Sequence, residues 1–453
     1  MRKRTRTILI GLAAVIVLAI GLYFVPPIHQ RLAWRLDNLR AKIIYFFRPP
    51  ENVTFLPTEQ STILPTFTPL PTGTATLTPI VQPTATITLT PPPQSVILNG
   101  VTFIDQMNRW NYCGPSNLAM ALTFWGWKGE PGNTLQVRDQ IGEAVKPGVD
   151  DPNMSFIDRG NTDVNVMPYE LVDYVNDHTA MRALYRYGGD PELLKRLIAA
   201  GFPPIIEKGT IQQSSITGKM EWMGHYAFTT GYDDVQQEFV FQDSYTPDEK
   251  IPREQQGFNK RISYADYMTG WRAFDYIFIV VYPPEQEAAL LQVLGPWSDS
   301  NWALTHALQT ADQETQTLSG TDLFFAWFNM GTSNVYLFEY GQAAAAYDYA
   351  YTNVYPTLPE GPERPFRILW YQTGPYWAYY YTSRYQDVVN FADSALATLT
   401  SPRSLEESLY WRALAEAALG YYDDAYADMR LSVHYHPGFP PAVNMMAQWG
   451  ISP

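Results

Sequence analysis

The chain has 453 residues, 15% of them aromatic and 17% charged, with a formal net charge of −14 and a single cysteine. That length and apolar content suit two or three well-buried domains. The charge is split, because residues 1–50 hold nine Lys and Arg against one acidic residue, Asp37, and the remainder is strongly acidic. An acidic body argues against nucleic acid as a partner. One cysteine rules out an internal disulfide, and the scattered histidines form no zinc-type ligand set, so neither a metal nor a cofactor is expected.

Residues 1–27 read as a basic N-terminus (Arg2, Lys3, Arg4, Arg6) and a membrane anchor, since the uncharged run 8–25 is long enough to span a bilayer as a helix. No small-residue cleavage site follows it, which favours an uncleaved single-pass segment. Residues 28–50 alternate apolar and basic positions at helical spacing, as in a helix lying on an anionic membrane surface. With both flanks positive, charge alone does not set the orientation. Residues 51–95 are dominated by Thr and Pro and read as a disordered, extended linker with a reach on the order of 100 Å at ~3.1 Å per residue. Such linkers commonly stand a domain off a cell surface, so the rest of the chain is expected outside the cytoplasm.

Residues 96–284 carry mixed helix and strand signals. The stretch 111–127, NYCGPSNLAMALTFWGW, predicts a buried helix with Pro115 at its first position and Gly126 as its stop. Further helices are predicted from Met167 and over 191–200, a strand over 202–207, and a core strand over 274–281. HYAFTTGYDDVQQEFVFQDSY, residues 225–245, is a hairpin signal with two apolar runs around an Asp-Asp turn. From residue 285 to 453 the chain turns to Ala-, Tyr- and Leu-rich helices. A repeat of roughly 34–44 residues carries Trp327, Gly331, Ala343 and Tyr347 in one copy and Ala413, Gly420 and Ala425 in another. The copy between them, with Trp370 and Gly374, is irregular. These are spacings of the tetratricopeptide (TPR) pattern, which predicts an all-α solenoid. Its aromatic residues suit either repeat core or a binding surface.

The chemistry centres on Cys113. At a helix N-terminus, the macrodipole and unpaired backbone N–H groups stabilise negative charge on a nucleophile. His225, between Gly224 and a strand, is a rigidly placed candidate base, whereas His178 sits in a polar helix end. A hairpin turn centred near Asp233–Val235 places Asp243 directly opposite His225 on one sheet face, where a carboxylate can orient the imidazole. Asp233 and Asp234, at the turn, lie too far away.

CGPSNLAMAL, followed by GHYAFTTGYDD and FVFQDSY, resembles cysteine-peptidase family 39, the bacteriocin-processing type, in its broader papain-like group. The whole chain resembles exported bacterial C39-like proteins with an N-terminal anchor, a Thr/Pro linker and C-terminal tetratricopeptide repeats. The resemblance implies an α+β papain-like peptidase domain and a Cys-His-Asp triad. Cys113 is then the nucleophile, His225 the general base and acid, and Asp243 the orienting group. The family's oxyanion-donating Gln lies a few residues before the cysteine. Here Gln106 is slightly further upstream and Asn108 nearer, so both are candidates, with the backbone N–H of Cys113 as the second donor.

The expectation is a membrane-anchored thiol peptidase acting on a peptide or protein substrate, with the repeats docking a substrate segment or protein partner. Two alternatives stand beside it: a peptide-binding module that does not turn over, and a thiol acyltransferase or amidase on the same site.

Overall fold

The computed structural model describes residues 93–452 except 108, 110, 111, 147–164, 214–217, 249 and 400–403, together with 55–58 and scattered positions from 11 to 47. All but scattered positions of the predicted anchor and of the basic helix after it, and most of the Thr/Pro stretch, therefore lie outside the described residues. Among the described residues no helix is long and apolar enough to cross a membrane.

The described part opens with strand β1 (Ser95–Ile97) and helices α1 (Cys113–Phe124), α2 (Val137–Val145) and α3 (Pro168–His178). Strand β2 (Arg182–Arg186), α4 (Pro191–Ala199), β3 (Pro204–Gln213), β4 (Met220–Asp233) and β5 (Glu238–Gln242) follow. Then come α5 (Arg253–Gly257), β6 (Lys260–Ser263), α6 (Tyr264–Arg272) and β7 (Phe278–Tyr282). The strands form one antiparallel sheet in the order β2-β7-β3-β4-β5-β6, with β1 added to the far end of β4. Alternation along the strands gives the sheet two apolar faces. Ile205, Tyr226, Phe228 and Ile279 pack under Leu118 and Leu122 of α1, Ile141 of α2 and Leu171 of α3. Ile206, Ala227, Phe241 and Phe278 pack under Leu194 and Leu197 of α4 and Trp271 of α6.

Helix α1 starts at Cys113 itself, so Pro115 falls at its third position rather than its first. The first four N–H groups of a helix have no internal partner, so proline costs nothing there. The core strand expected from residue 274 begins at Phe278, because Asp275 and Tyr276 hold positive φ (51° and 53°) and turn the chain first.

The hairpin register also differs from the expected one. The turn occupies 234–237, with Asp233 Oδ1 accepting from the N–H groups of Val235 and Gln236 (both 3.1 Å) and Gln237 at φ 56°. Pairing runs Asp233↔Glu238 to Gly231↔Val240, skips one residue at Thr230, and resumes at Thr229↔Phe241 and Phe228↔Gln242. Asp243 thus faces Ala227 rather than His225. Without the bulge it would face Phe228, on the opposite side of the sheet from His225.

The C-terminal region is helical: α7 (Glu287–Leu294), α8 (Ser300–Thr317), α9 (Gly320–Tyr336), α10 (Tyr340–Tyr349), α11 (Ile368–Tyr371), α12 (Gly374–Tyr381), α13 (Tyr385–Ala397), α14 (Glu406–Leu419), α15 (Tyr422–Tyr435) and α16 (Pro440–Trp449). From α9 onward the helices pack into one apolar cluster that also takes in Trp222 and Phe274 from the sheet side, whereas Leu290 and Leu294 of α7 join the core under α4 and α6. Within the stretch assigned to a disordered linker, Phe55 is buried in that same cluster.

Helix α11 and its flanking residues Arg367 and Gln372 clamp the start of β4. Arg367 pairs with the buried Glu221 (2.8 Å), Gln372 Nε2 donates to the Ala273 carbonyl (2.7 Å), and Tyr371 packs on Trp222 and Phe274. A Cβ on Gly224, the residue before His225, would lie 2.7 Å from Phe274 and 2.8 Å from Tyr371. Gly224→Ala is therefore expected to destabilise the protein by about 1–3 kcal/mol through overpacking, read as a lowered midpoint of thermal unfolding.

Candidate active site

Cys113 stands at the first position of α1, partly buried, where Asn117 one turn later fastens the helix to the sheet. The Asn117 amide donates to the Cys113 carbonyl (2.8 Å) and across to the Tyr226 carbonyl on β4 (3.0 Å). Cys113 and the residue after Gly224 are thereby brought to the same spot from distant parts of the chain.

His225 is 4% exposed, and its Nε2 lies 2.8 Å from Asp243 Oδ1. The Cys113 side chain lies near enough to the ring to favour its charged form. With Nε2 engaged by the carboxylate, Nδ1 is the nitrogen left for the sulfur. Burial disfavours the imidazolium, but Asp243 and the contact with Cys113 more than offset it and raise His225 to about 9. Asp243 loses solvation too, yet its partners hold it well below the usual carboxylate range. Besides His225 it accepts from Lys260 Nζ (2.9 Å) and from the Tyr245 backbone N–H (3.0 Å). The three predicted residues, Cys113, His225 and Asp243, form one connected row.

Gln106 is buried behind the cysteine. Its backbone N–H donates to the Ser244 carbonyl (2.9 Å), and the Ser244 hydroxyl donates to Gln106 Oε1 (2.8 Å). That bond turns the Nε2 donor of the amide away from Ser244. Asp105 braces the same loop by accepting from the Met107 N–H (2.8 Å) and from Arg253 (2.6 Å), with Arg138 against it. Asn108, the other oxyanion candidate, lies outside the described residues. His178 is half-exposed and stacked on Tyr174, remote from the row.

Several residues here carry no motif of their own. Lys208 pairs with His225 across β3 and β4, is buried, and sits over the Phe241 ring at 4.8 Å. Burial pushes its ammonium down, as does Lys260, while Asp243 pulls it up. Glu207, also buried, interacts with Cys113 and Tyr226, and burial raises its carboxyl well above the ordinary range. Burial thus favours its neutral form over a negative charge beside the sulfur. Among the described residues the one carboxylate-histidine cluster of metal-binding geometry is Glu170, Glu406 and His436, with the Lys146 ammonium already against both glutamates. It is separate from the Cys113 row.

A cysteine at a helix end, a histidine against it and a carboxylate behind the histidine belong together on one α+β core. Residues 98–271 match the family model described as the Peptidase_C39 like family. Cys113, His225 and Asp243 all lie inside the matched span. Among solved structures, the chain is similar to a C39-like peptidase from Bacillus anthracis at 18% identity and a TM-score of 0.29, covering 41% of this chain and 96% of that one. It is similar to xylellain, a cysteine protease from Xylella fastidiosa, at 15% identity and a TM-score of 0.26, covering 52% and 97%. No curated protein matches the chain.

The raised His225 value has a consequence for stability. Stability from its charged interactions is complete below the unfolded value near 6.5 and is lost as pH rises through about 9. Replacing Asp243 by Asn removes the partner that overcomes burial. NMR titration of the His225 ring is therefore expected to give a midpoint near 9 in the wild type and one lower by at least a unit in Asp243→Asn.

Proposed function

We propose that this protein is a thiol peptidase in which Cys113, His225 and Asp243 act as nucleophile, general acid-base and orienting carboxylate. The observation that carries the reading is the hydrogen bond from Asp243 to the buried His225 ring, with Cys113 on the helix end beside that ring. At neutral pH the raised imidazole is the imidazolium, so the proton needed by the leaving amine is in place before bond breaking. The Cys113 sulfur attacks the peptide carbonyl as the thiolate. The tetrahedral oxyanion takes hydrogen bonds from the Cys113 backbone N–H and the Gln106 amide. Collapse breaks the C–N bond, the amine leaves with the proton from His225, and a thioester remains on Cys113. His225 then removes a proton from water, which attacks the thioester, releases the acid and restores the Cys113 thiolate beside the imidazolium.

Gln106 is the better oxyanion donor of the two candidates because its carbonyl is tied to Ser244 and its loop is braced through Asp105. The helical pairs beyond residue 285 are read as tetratricopeptide-like repeats that dock a substrate segment or protein partner. The apolar run 8–25 is read as a single-pass anchor holding the folded part outside the cytoplasm. The repeat spacings and the N-terminal composition support these two readings.

Cleavage of a mixed peptide library, followed by mass spectrometry, tests the catalytic assignment. Cys113→Ala is expected to abolish cleavage, and Gln106→Ala to lower kcat about 10²–10³-fold with KM little changed. Cleavage undiminished in Cys113→Ala would overturn the reading.

A further inference from the structure

Residues 55–58, Phe-Leu-Pro-Thr, come from the Thr/Pro-rich stretch, yet they lie on the helical region as a bound peptide would. The Phe55 ring is 2% exposed and enters a box of three aromatic rings. It meets Tyr351 and Phe391 edge-on, with centroids 5.3 Å and 4.8 Å away, and Tyr379 at 5.7 Å. Three residues on, Thr58 places both its backbone N–H (2.7 Å) and its hydroxyl (2.6 Å) on Asp387 Oδ1.

The receiving carboxylate is built for this. Asp387 is 1% exposed, and its other oxygen accepts from Arg384 Nε (2.9 Å) and Nη2 (2.7 Å). Arg384 is fixed in turn by Asp348 (2.7 Å) and by stacking over the Tyr379 ring. One oxygen is thus neutralised by a locked guanidinium while the other faces the peptide. Leu56 between the two anchors is 58% exposed, so its side chain is not read. Pro57 pre-sets the extended backbone that lets the anchors span the distance.

The other end of the Thr/Pro stretch is also fastened, but to the sheet. The Tyr232 hydroxyl donates to the Pro93 carbonyl (2.7 Å) and the Asp234 N–H to that of Gln94 (2.8 Å). Residues 59–92 therefore connect two docked points on the folded body. A linker of that length holds its end near the pocket at an effective concentration in the mM range, so even a modest intrinsic affinity keeps the segment seated.

We propose that this pocket is a peptide-recognition site for extended segments of the form Phe-x-Pro-Thr or Phe-x-Pro-Ser, and that residues 55–58 are its resident, exchangeable ligand. An aromatic box reads the Phe ring, and a preorganised carboxylate reads a residue that offers both a backbone N–H and a hydroxyl. Val at the last position supplies only one of those donors. The inference is independent of the chemistry at Cys113.

The test uses the full chain in detergent and a fluorescent synthetic peptide of residues 51–59, followed by anisotropy. Phe55→Ala, which empties the ring box, is expected to bind the peptide saturably, and the wild type at least tenfold more weakly because its own segment competes. Adding Asp387→Asn to Phe55→Ala, or replacing Phe by Ala in the peptide, is expected to weaken binding at least tenfold. Equal binding to wild type and Phe55→Ala, or indifference to the peptide's Phe, would overturn the proposal. A second measurement does not depend on the folding of that variant. With a photoreactive benzoylphenylalanine at position 55, irradiation is expected to crosslink it within residues 347–391, and addition of excess 51–59 peptide to reduce that product. Crosslinks elsewhere, or a yield unmoved by the peptide, would contradict an exchangeable ligand.

Discussion

A buried carboxylate is tolerable only when its charge is met on every side, and Asp243 is where that requirement is satisfied in this protein. It is 7% exposed and takes donors from an imidazole, an ammonium and a backbone N–H. Those donors come from β4, from β6 and from the turn that follows β5, so the carboxylate stays ionised only if the sheet is assembled around it. In return it holds the His225 ring in one orientation and keeps it charged at neutral pH against the desolvation that favours the neutral form. The state of the histidine is thus a property of the folded sheet rather than of the residue.

Each remaining part of the site is coupled to that pair. The Thr230 bulge sets the parity that brings Asp243 to the His225 side of the sheet. Gly224 allows Tyr371 and Phe274 to close over the strand just before His225, and the Arg367–Glu221 pair secures the same strand from the helical region. Asn117 fastens the start of α1, and with it Cys113, to β4. The helical region is therefore part of the framework that places His225, whatever else it binds.

The local features were legible in the sequence. An apolar run after Cys-Gly-Pro could hardly be anything but a buried helix, and alternation around Asp233–Asp234 marked the hairpin. Asp190 caps α4 through the Leu193 N–H (2.6 Å), and Gly201 ends it at φ 87°, as their residue types suggest. The expected pairing of His225 with Asp243 was reached through the wrong register. The turn sits further along the chain than assumed and the bulge removes one step, so the residues end as diagonal neighbours on the same face. A displacement by an even number of positions preserves the face, and for that reason the two remain within hydrogen-bond distance. Lys208, Lys260, Glu207 and Ser244 could not have been found in this way, because only three-dimensional closure brings them to the site. Composition likewise hid Phe55, since two aromatic residues among prolines and threonines do not alter an average.

The most direct measurement is the rate at which iodoacetamide alkylates the single cysteine at pH 7, comparing the wild type with His225→Ala and reading modification by intact mass. An imidazolium held against the sulfur predicts that Cys113 reacts faster than an unperturbed peptide thiol, and that His225→Ala slows it at least tenfold. A wild-type rate equal to that of a free thiol, or one unchanged by removal of His225, would contradict the coupling of Asp243, His225 and Cys113.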